Sequence, residues 1–273
     1  LGAKQGTEVR EREPAEKGIE IRHCHGLAEF QACLELERRV WGAADVDLVP
    51  TYVFVVMAEI GGQVLGAFDP QADGRMIGFT LAFPGFREGR TFLHSHMTAV
   101  IPEYQNRGVG RQLKLFQRED ALERGIELVE WTFDPMELRN AYFNIERLGA
   151  TMRRYLPNLY GITTSPLHGS LPTDRLVAEW WLKSERVTRL LREGKRPRTA
   201  AETGAEAARI VVPRDFGELR ARDRNRAAAV QARVREEFQH WFGRGYEVTG
   251  LEVDEQNGTY VLVPYANSKG DFA

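Results

Sequence analysis

Two cysteines, Cys24 and Cys33, are too few in 273 residues to make a disulfide framework, and both are read as reduced thiols. No stretch reaches the roughly 18 continuous apolar residues that a membrane helix requires. Residues 1–17 are rich in Glu, Lys and Arg and lack the apolar core of a secretion signal. These absences point to a cytoplasmic protein with no membrane partner. Charge of one sign is missing as well: 37 Lys and Arg stand against 39 Asp and Glu, a net charge of −2, so no global field exists to hold nucleic acid. What is there is 42% hydrophobic and 28% charged, enough to build a sizeable core, which excludes disorder of the whole chain.

Residues 19–22 predict a short strand, and Leu27, Phe30, Leu34, Leu36 and Val40 recur at largely helical spacing. Two apolar runs, 64–68 and 76–83, flank the turn chemistry of 69–75 and predict an antiparallel hairpin. A strand at 91–100, a helix at 108–124, a strand at 126–133 and a helix at 138–148 closed by Gly149 follow. This alternation implies a parallel pair with a crossover helix beside the hairpin, hence an α/β class with a mixed sheet. Further strands are expected at 152–156 and 176–182.

Residues 192–208 hold hardly an apolar anchor and predict a linker. The chain thus divides into an arm at 1–17, a main domain at 18–190, a linker at 191–208 and a small β-α-β-β unit at 209–273. In that unit Ala227, Val230, Val234, Phe238 and Trp241 mark one face of a helix ended by Gly243, and Asn257-Gly258 predicts a tight hairpin turn. Too small for a large core of its own, the unit is expected to dock on the main domain or on a second copy, making a homodimer.

Chemistry concentrates in His94-Ser95-His96-Met97-Thr98-Ala99-Val100, followed by Ile101-Pro102-Glu103-Tyr104-Gln105-Asn106-Arg107-Gly108-Val109-Gly110-Arg111. A strand, a polar glycine loop and a helix start suit an anion: the first helical N–H groups lack partners, the dipole is positive there, and glycine lets a phosphate approach the main chain. Acidic residues normally favour a helix start, yet Arg107, Arg111 and Lys114 gather here and no carboxylate appears before Glu119. Arg111, Lys114 and Arg118 share one face. The plainer alternative is a turn with solvated basic side chains. The loop lacks both the Gly-Lys-Ser/Thr ending of a P-loop and the three-glycine spacing of a dinucleotide fold.

The run Gln105-Asn106-Arg107-Gly108-Val109-Gly110 resembles the acyl-CoA signature of the GNAT superfamily of N-acyltransferases, Gln/Arg-x-x-Gly-x-Gly/Ala. Asn140-Ala141-Tyr142-Phe143-Asn144-Ile145-Glu146-Arg147-Leu148-Gly149-Ala150 is similar to the next helix of that family. By element order the resemblance covers residues 19–183, with motif-level support from the strand before the loop to Ala150. It implies a GNAT-like fold carrying the β-α-β-β appendage and, as co-substrate, acetyl-CoA or another acyl-CoA lying between two splayed strands. The diphosphate would take the amides of Gln105, Asn106, Arg107, Gly108, Val109, Gly110 and Arg111. The pantetheine chain would bond the main chain of Thr98, Ala99 and Val100, with Asn140 as a polar contact. The implied reaction is transfer of the acyl group to a primary amine of a small molecule or a protein.

One departure stands out: Ile145 occupies the position where many members carry a proton-donating tyrosine, with Tyr142 one turn earlier. Tyr142 is then the candidate acid, and His96 and Glu130 are the candidate bases. The same departure leaves open a non-catalytic acyl-CoA-binding or sensing protein. His94 and His96 lack a third residue at ligand spacing, so no metal is expected. The loops at 157–161 and 171–175 are candidates to orient an acceptor, with an Asp174 and Arg175 surface pair as the plainer reading. Arginines between 209 and 240 outnumber acids too slightly to bind nucleic acid.

Overall fold

The computed structural model describes residues 18–42, 48–161, 171–194, 196, 198–204 and 206–265. The expected arm, residues 266–273 and parts of the expected linker lie outside them. The elements run β1 (Glu20–His23), α1 (Gly26–Trp41), α2 (Thr51–Glu59), β2 (Gln63–Asp69), β3 (Arg75–Arg87), β4 (Arg90–Val100), α3 (Val109–Glu123), β5 (Leu128–Phe133), α4 (Leu138–Tyr142), β6 (Thr151–Leu156) and β7 (Arg175–Trp181). Then come α5 (Glu185–Glu193), α6 (Ala200–Thr203), β8 (Ala208–Pro213), α7 (Phe216–Arg222), α8 (Arg224–Gly243), β9 (Tyr246–Val253) and β10 (Asn257–Pro264).

The strands form one mixed sheet in the order β1-β2-β3-β4-β5-β7-β6-β9-β10-β8. Among the described residues only β4 and β5 pair in parallel; α3 is their crossover. Phe79 of β3, opposite Gly66, meets Trp41 and Phe54 edge-on, so α1 and α2 cover that face. Gln63, three positions from Gly66 and so on the other face, exchanges hydrogen bonds with Gln117 of α3. The carboxy-terminal unit joins the sheet where Met152 of β6 opposes Val248 of β9. Its Val234, Phe238 and Tyr260 share one apolar cluster with Trp131 and Trp180.

Several expectations are corrected by packing. The helix expected over 138–148 is regular only to Tyr142; a π turn over Phe143–Arg147 follows, in which the Leu148 N–H donates to the Phe143 carbonyl. The wider turn sinks Ile145 fully into the core. The hairpin expected at Asn257-Gly258 turns instead at 254–256, where Asp254 accepts the N–H groups of Gln256 and Asn257. Gly258 lies in β10 because Leu138 packs against it: a Cβ there would sit 2.4 Å from Leu138 Cδ2.

The expected linker is anchored, since Arg196 is buried between Glu146 and Glu202 at 2.9 and 2.7 Å. Asp174 is no surface pair with Arg175. It is fully buried and accepts from Tyr155 and Arg235. An additional helix, α7, makes the appended unit β-α-α-β-β.

Candidate active site

Pairing between β4 and β5 is limited to Leu93 with Val129 and His94 with Glu130. Beyond that rung, Ser95 and residues 97–100 stay paired with β3 and residues 131–133 with β7. The strands therefore part toward their carboxyl ends, and the resulting V opens toward the 101–108 loop and the start of α3. Its apex is bent by a bulge: Leu81 faces Met97 and Ala82 faces Ser95, leaving His96 without a rung. Strand edges pulled apart in this way present main-chain donors and acceptors that an extended amide chain satisfies.

At the open end, Asn106 and Gly108 both take left-handed conformations, with φ of 63° and 80°. Left-handed residues in a turn at a helix start are the backbone geometry from which neighbouring N–H groups can cradle an anion. Gln105 spends its side chain on the Val100 carbonyl at 2.9 Å, tying the loop to the strand. Arg139 of α4 bonds the Asn106 side chain and so spans the V mouth. Asn140 beside it is exposed. The Arg111 guanidinium is held below its ordinary pKa by burial and by the neighbouring charge of Arg147. Neither arginine has an acidic partner among the described residues, and two like charges side by side are arranged to receive an anion.

Lys114 and Arg118 leave this cluster. Lys114 turns inward to Ser95 Oγ at 2.7 Å and Gln117 Oε1 at 3.0 Å, over the Trp131 ring; Arg118 donates to the Leu182 carbonyl. The two loop glycines also differ in kind. Any side chain at Gly108 is strained by its positive φ, whereas a Cβ at Gly110 meets only Val100 Cγ2, at 3.9 Å.

On the face of the V away from α3, His96 is exposed and meets Phe83 edge-on, with the His94 ring 6.3 Å away. Desolvation, then the neighbouring His94, hold the His96 pKa below its ordinary value. Glu130 is buried. Burial would raise its pKa, but contacts with His94 and Arg87 and the charge of Arg154 outweigh that and bring it to about 2. Such a carboxylate is a fixed counter-ion, poorly matched to proton abstraction near neutrality.

Tyr142 is 39% exposed at the end of α4. Tyr160, from the loop after β6, places its hydroxyl 3.0 Å from Thr132 Oγ1 on the splayed part of β5. Sequence reasoning did not single out Arg139, Arg147, Thr132 or Arg154 for the site. They stand on separate elements, and no spacing links them to the loop.

Residues 24–149 match the acetyltransferase (GNAT) family. No curated protein matches the chain. Among solved structures, the ribosomal-protein-S18-alanine N-acetyltransferase from Escherichia coli is 16% identical over 61% of this chain and 95% of its own, with a TM-score of 0.47. The Arabidopsis thaliana NAA60, solved in complex with a bisubstrate analogue, is 13% identical over 60% of this chain and 97% of its own, with a TM-score of 0.49. The matched segment contains the parted strands, the left-handed glycine loop and α4, and residues 24–149 form an acetyltransferase domain of the GNAT family.

Proposed function

We propose that this protein moves an acetyl group from a coenzyme A thioester to a primary amine by direct attack. The observation that carries this reading is a V between β4 and β5 that ends on a left-handed glycine loop at the start of α3, beside Arg111 and Arg147. In this reading the amides of residues 106–111 hold the diphosphate, the expected Gln105 N–H being taken by the Pro102 carbonyl at 3.2 Å, and the main chain of Thr98, Ala99 and Val100 bonds the pantetheine chain. Asn140 adds a polar contact from α4. Near the bulge, a strand N–H stabilises the charge that develops on the thioester oxygen as the amine adds.

His96 is neutral at pH 7 because its pKa is depressed, and it takes the amine's proton directly or through water. Glu130 holds His94 and two arginines in place. Tyr142 returns a proton to the departing thiolate, a helpful step that a good leaving group does not strictly need.

Acetyl-CoA at 100 times its Kd is expected to add about 2.7 kcal/mol of stability, read as a rise in Tm. Thiol release with a panel of primary amines then reports turnover. The acid limb of kcat should titrate below pH 6.5, and His96→Gln should lower kcat about 100-fold and abolish that limb. An unchanged profile would remove His96 from the reaction. The fully buried, apolar Ile145 favours a second reading, a non-catalytic acyl-CoA-binding protein. A Tm shift without thiol release from any amine would select it, and an unmoved Tm would reject both readings.

A further inference from the structure

An amine approaching the V from the side away from α3 crosses the side chains of β5, β7 and β6. Glu130 and Glu179 face each other across β5 and β7, and each is 5% exposed. Arg87 grips Glu130 with two donors at 2.9 and 3.1 Å. Arg154 reaches back from β6 to Glu130 at 2.5 Å and touches Glu179 at 3.3 Å, while Arg153 takes the other Glu179 oxygen at 3.0 Å. Three guanidinium groups thus enclose two carboxylates, and the carboxylates lie underneath. What this cluster presents outward is Arg154 and Arg87, whose side chains are 37% and 32% exposed. Arg154 uses Nε on Glu179 and Nη2 on Glu130, so its Nη1 has no partner among the described residues.

A dication offered to this surface meets positive charge and no accessible carboxylate in the cluster. An anionic group meets a half-exposed guanidinium already oriented by two carboxylates, the preorganised geometry that favours charge-assisted pairing. Glu130 also stands beside His94, at the last rung before the strands part, with His94 Nδ1 3.8 Å from its carboxylate. Adjacent strands are about 4.8 Å apart and β6 is three spacings from β4, but the Arg154 guanidinium reaches back over β7 to Glu130 on β5, so a group bound there is separated from an amine at His96 by one to two spacings, roughly 5–10 Å.

We infer that the acceptor is a small molecule carrying both the reacting amine and, several bonds away, a carboxylate bound by Arg154. This rests on the acetyl-transfer reading and adds a substrate class to it. The carboxylate binds and orients; no bond to it forms or breaks. Arg154 is a specificity residue, and the transferred acetyl group and the departing thiol are those of the main reaction.

The test compares three amines of matched length: δ-aminovalerate, its uncharged amide, and cadaverine. Wild-type protein should acetylate the acid with kcat/KM at least about tenfold above the amide and the diamine, the worth of one charge-assisted contact. Arg154→Leu keeps the apolar stem and removes the charge. It should raise KM for the acid about tenfold with kcat nearly unchanged, and leave the amide unaffected. Arg154→Lys should restore part of the preference. The Tm of each variant, with and without acetyl-CoA, reports folding and coenzyme binding separately. Equal use of acid and amide, or an equal loss of both in Arg154→Leu, overturns the inference while acetyl transfer stands. A wild-type Tm that acetyl-CoA leaves unmoved overturns acetyl transfer itself, and this assignment with it.

Discussion

Gly110→Glu is expected to weaken acetyl-CoA binding at least about 100-fold, near 2.7 kcal/mol, with no loss of fold stability. Gly110 sits in the first turn of α3 with ordinary helical backbone, and a Cβ there meets only the Val100 methyl at 3.9 Å. A glutamate at such a position interacts well with the helix dipole, by roughly 0.3–1 kcal/mol, and no acidic residue now occupies that turn. The same side chain puts bulk and negative charge at the mouth of the V, where the amides and Arg111 would otherwise receive a diphosphate.

Binding and stability should therefore move in opposite directions, which general damage to the protein cannot mimic. Calorimetric titration with acetyl-CoA and a thermal melt check both halves, and undiminished affinity would show that the loop faces no phosphate. Gly108 is the poorer probe, because its φ of 80° makes any replacement strain the loop and confuses the two effects.

Stability should depend on pH through Lys114, and Lys114→Met should flatten that dependence. Lys114 is buried beneath the V with Ser95, Gln117 and the Trp131 ring as neighbours. Burial lowers its pKa from 10.5 to about 7. Between those values the unfolded chain holds the proton and the folded chain does not. Unfolding then takes up a proton, and stability rises with pH at about 1.4 kcal/mol per unit across that window. At pH 7 and below both states are protonated, and the full cost of several kcal/mol is carried by the fold.

The methionine variant escapes this cost, so its stability relative to wild type should be highest near pH 6–7 and fall steadily toward pH 10. Urea denaturation at pH 6, 7, 8 and 9 checks this, and parallel curves would show that the amine is solvated. The lysine thereby costs stability at neutral pH, as buried charges without a carboxylate generally do.

The glycine loop was legible because its chemistry is local. A strand exit, glycines two apart and a helix start are set by neighbouring residues wherever the rest of the chain goes, and the structure has β4, the loop and α3 there. The hairpin of β2 and β3 and the mixed sheet were legible for the same reason, from alternation and turn residues. Helix α2 was not: Tyr52-Val53-Phe54-Val55-Val56-Met57 has no helical periodicity and only Met57 as a good helix former, and its β-branched residues favour strands. Packing of Phe54 on Phe79 overrides that preference. Placement of β7 between β5 and β6, and the junction of β6 with β9, are choices of hydrogen-bonding partner that no single strand encodes.

The charged residues divide along the same line. Composition alone excluded a broad nucleic-acid field, and the spacing around Gly108 and Gly110 by itself determined a glycine loop at a helix start, the backbone setting proposed here for a diphosphate. Only the tertiary structure decided which charges remain to do chemistry: it buried Lys114, locked Glu130 between arginines, drew Asp174 to Arg235, brought Arg147 beside Arg111 and left Arg154 half in solvent. The reason is physical. Main-chain donors at a helix start exist by virtue of local geometry, whereas the protonation and availability of a side chain depend on desolvation and on partners supplied by residues far away in the chain.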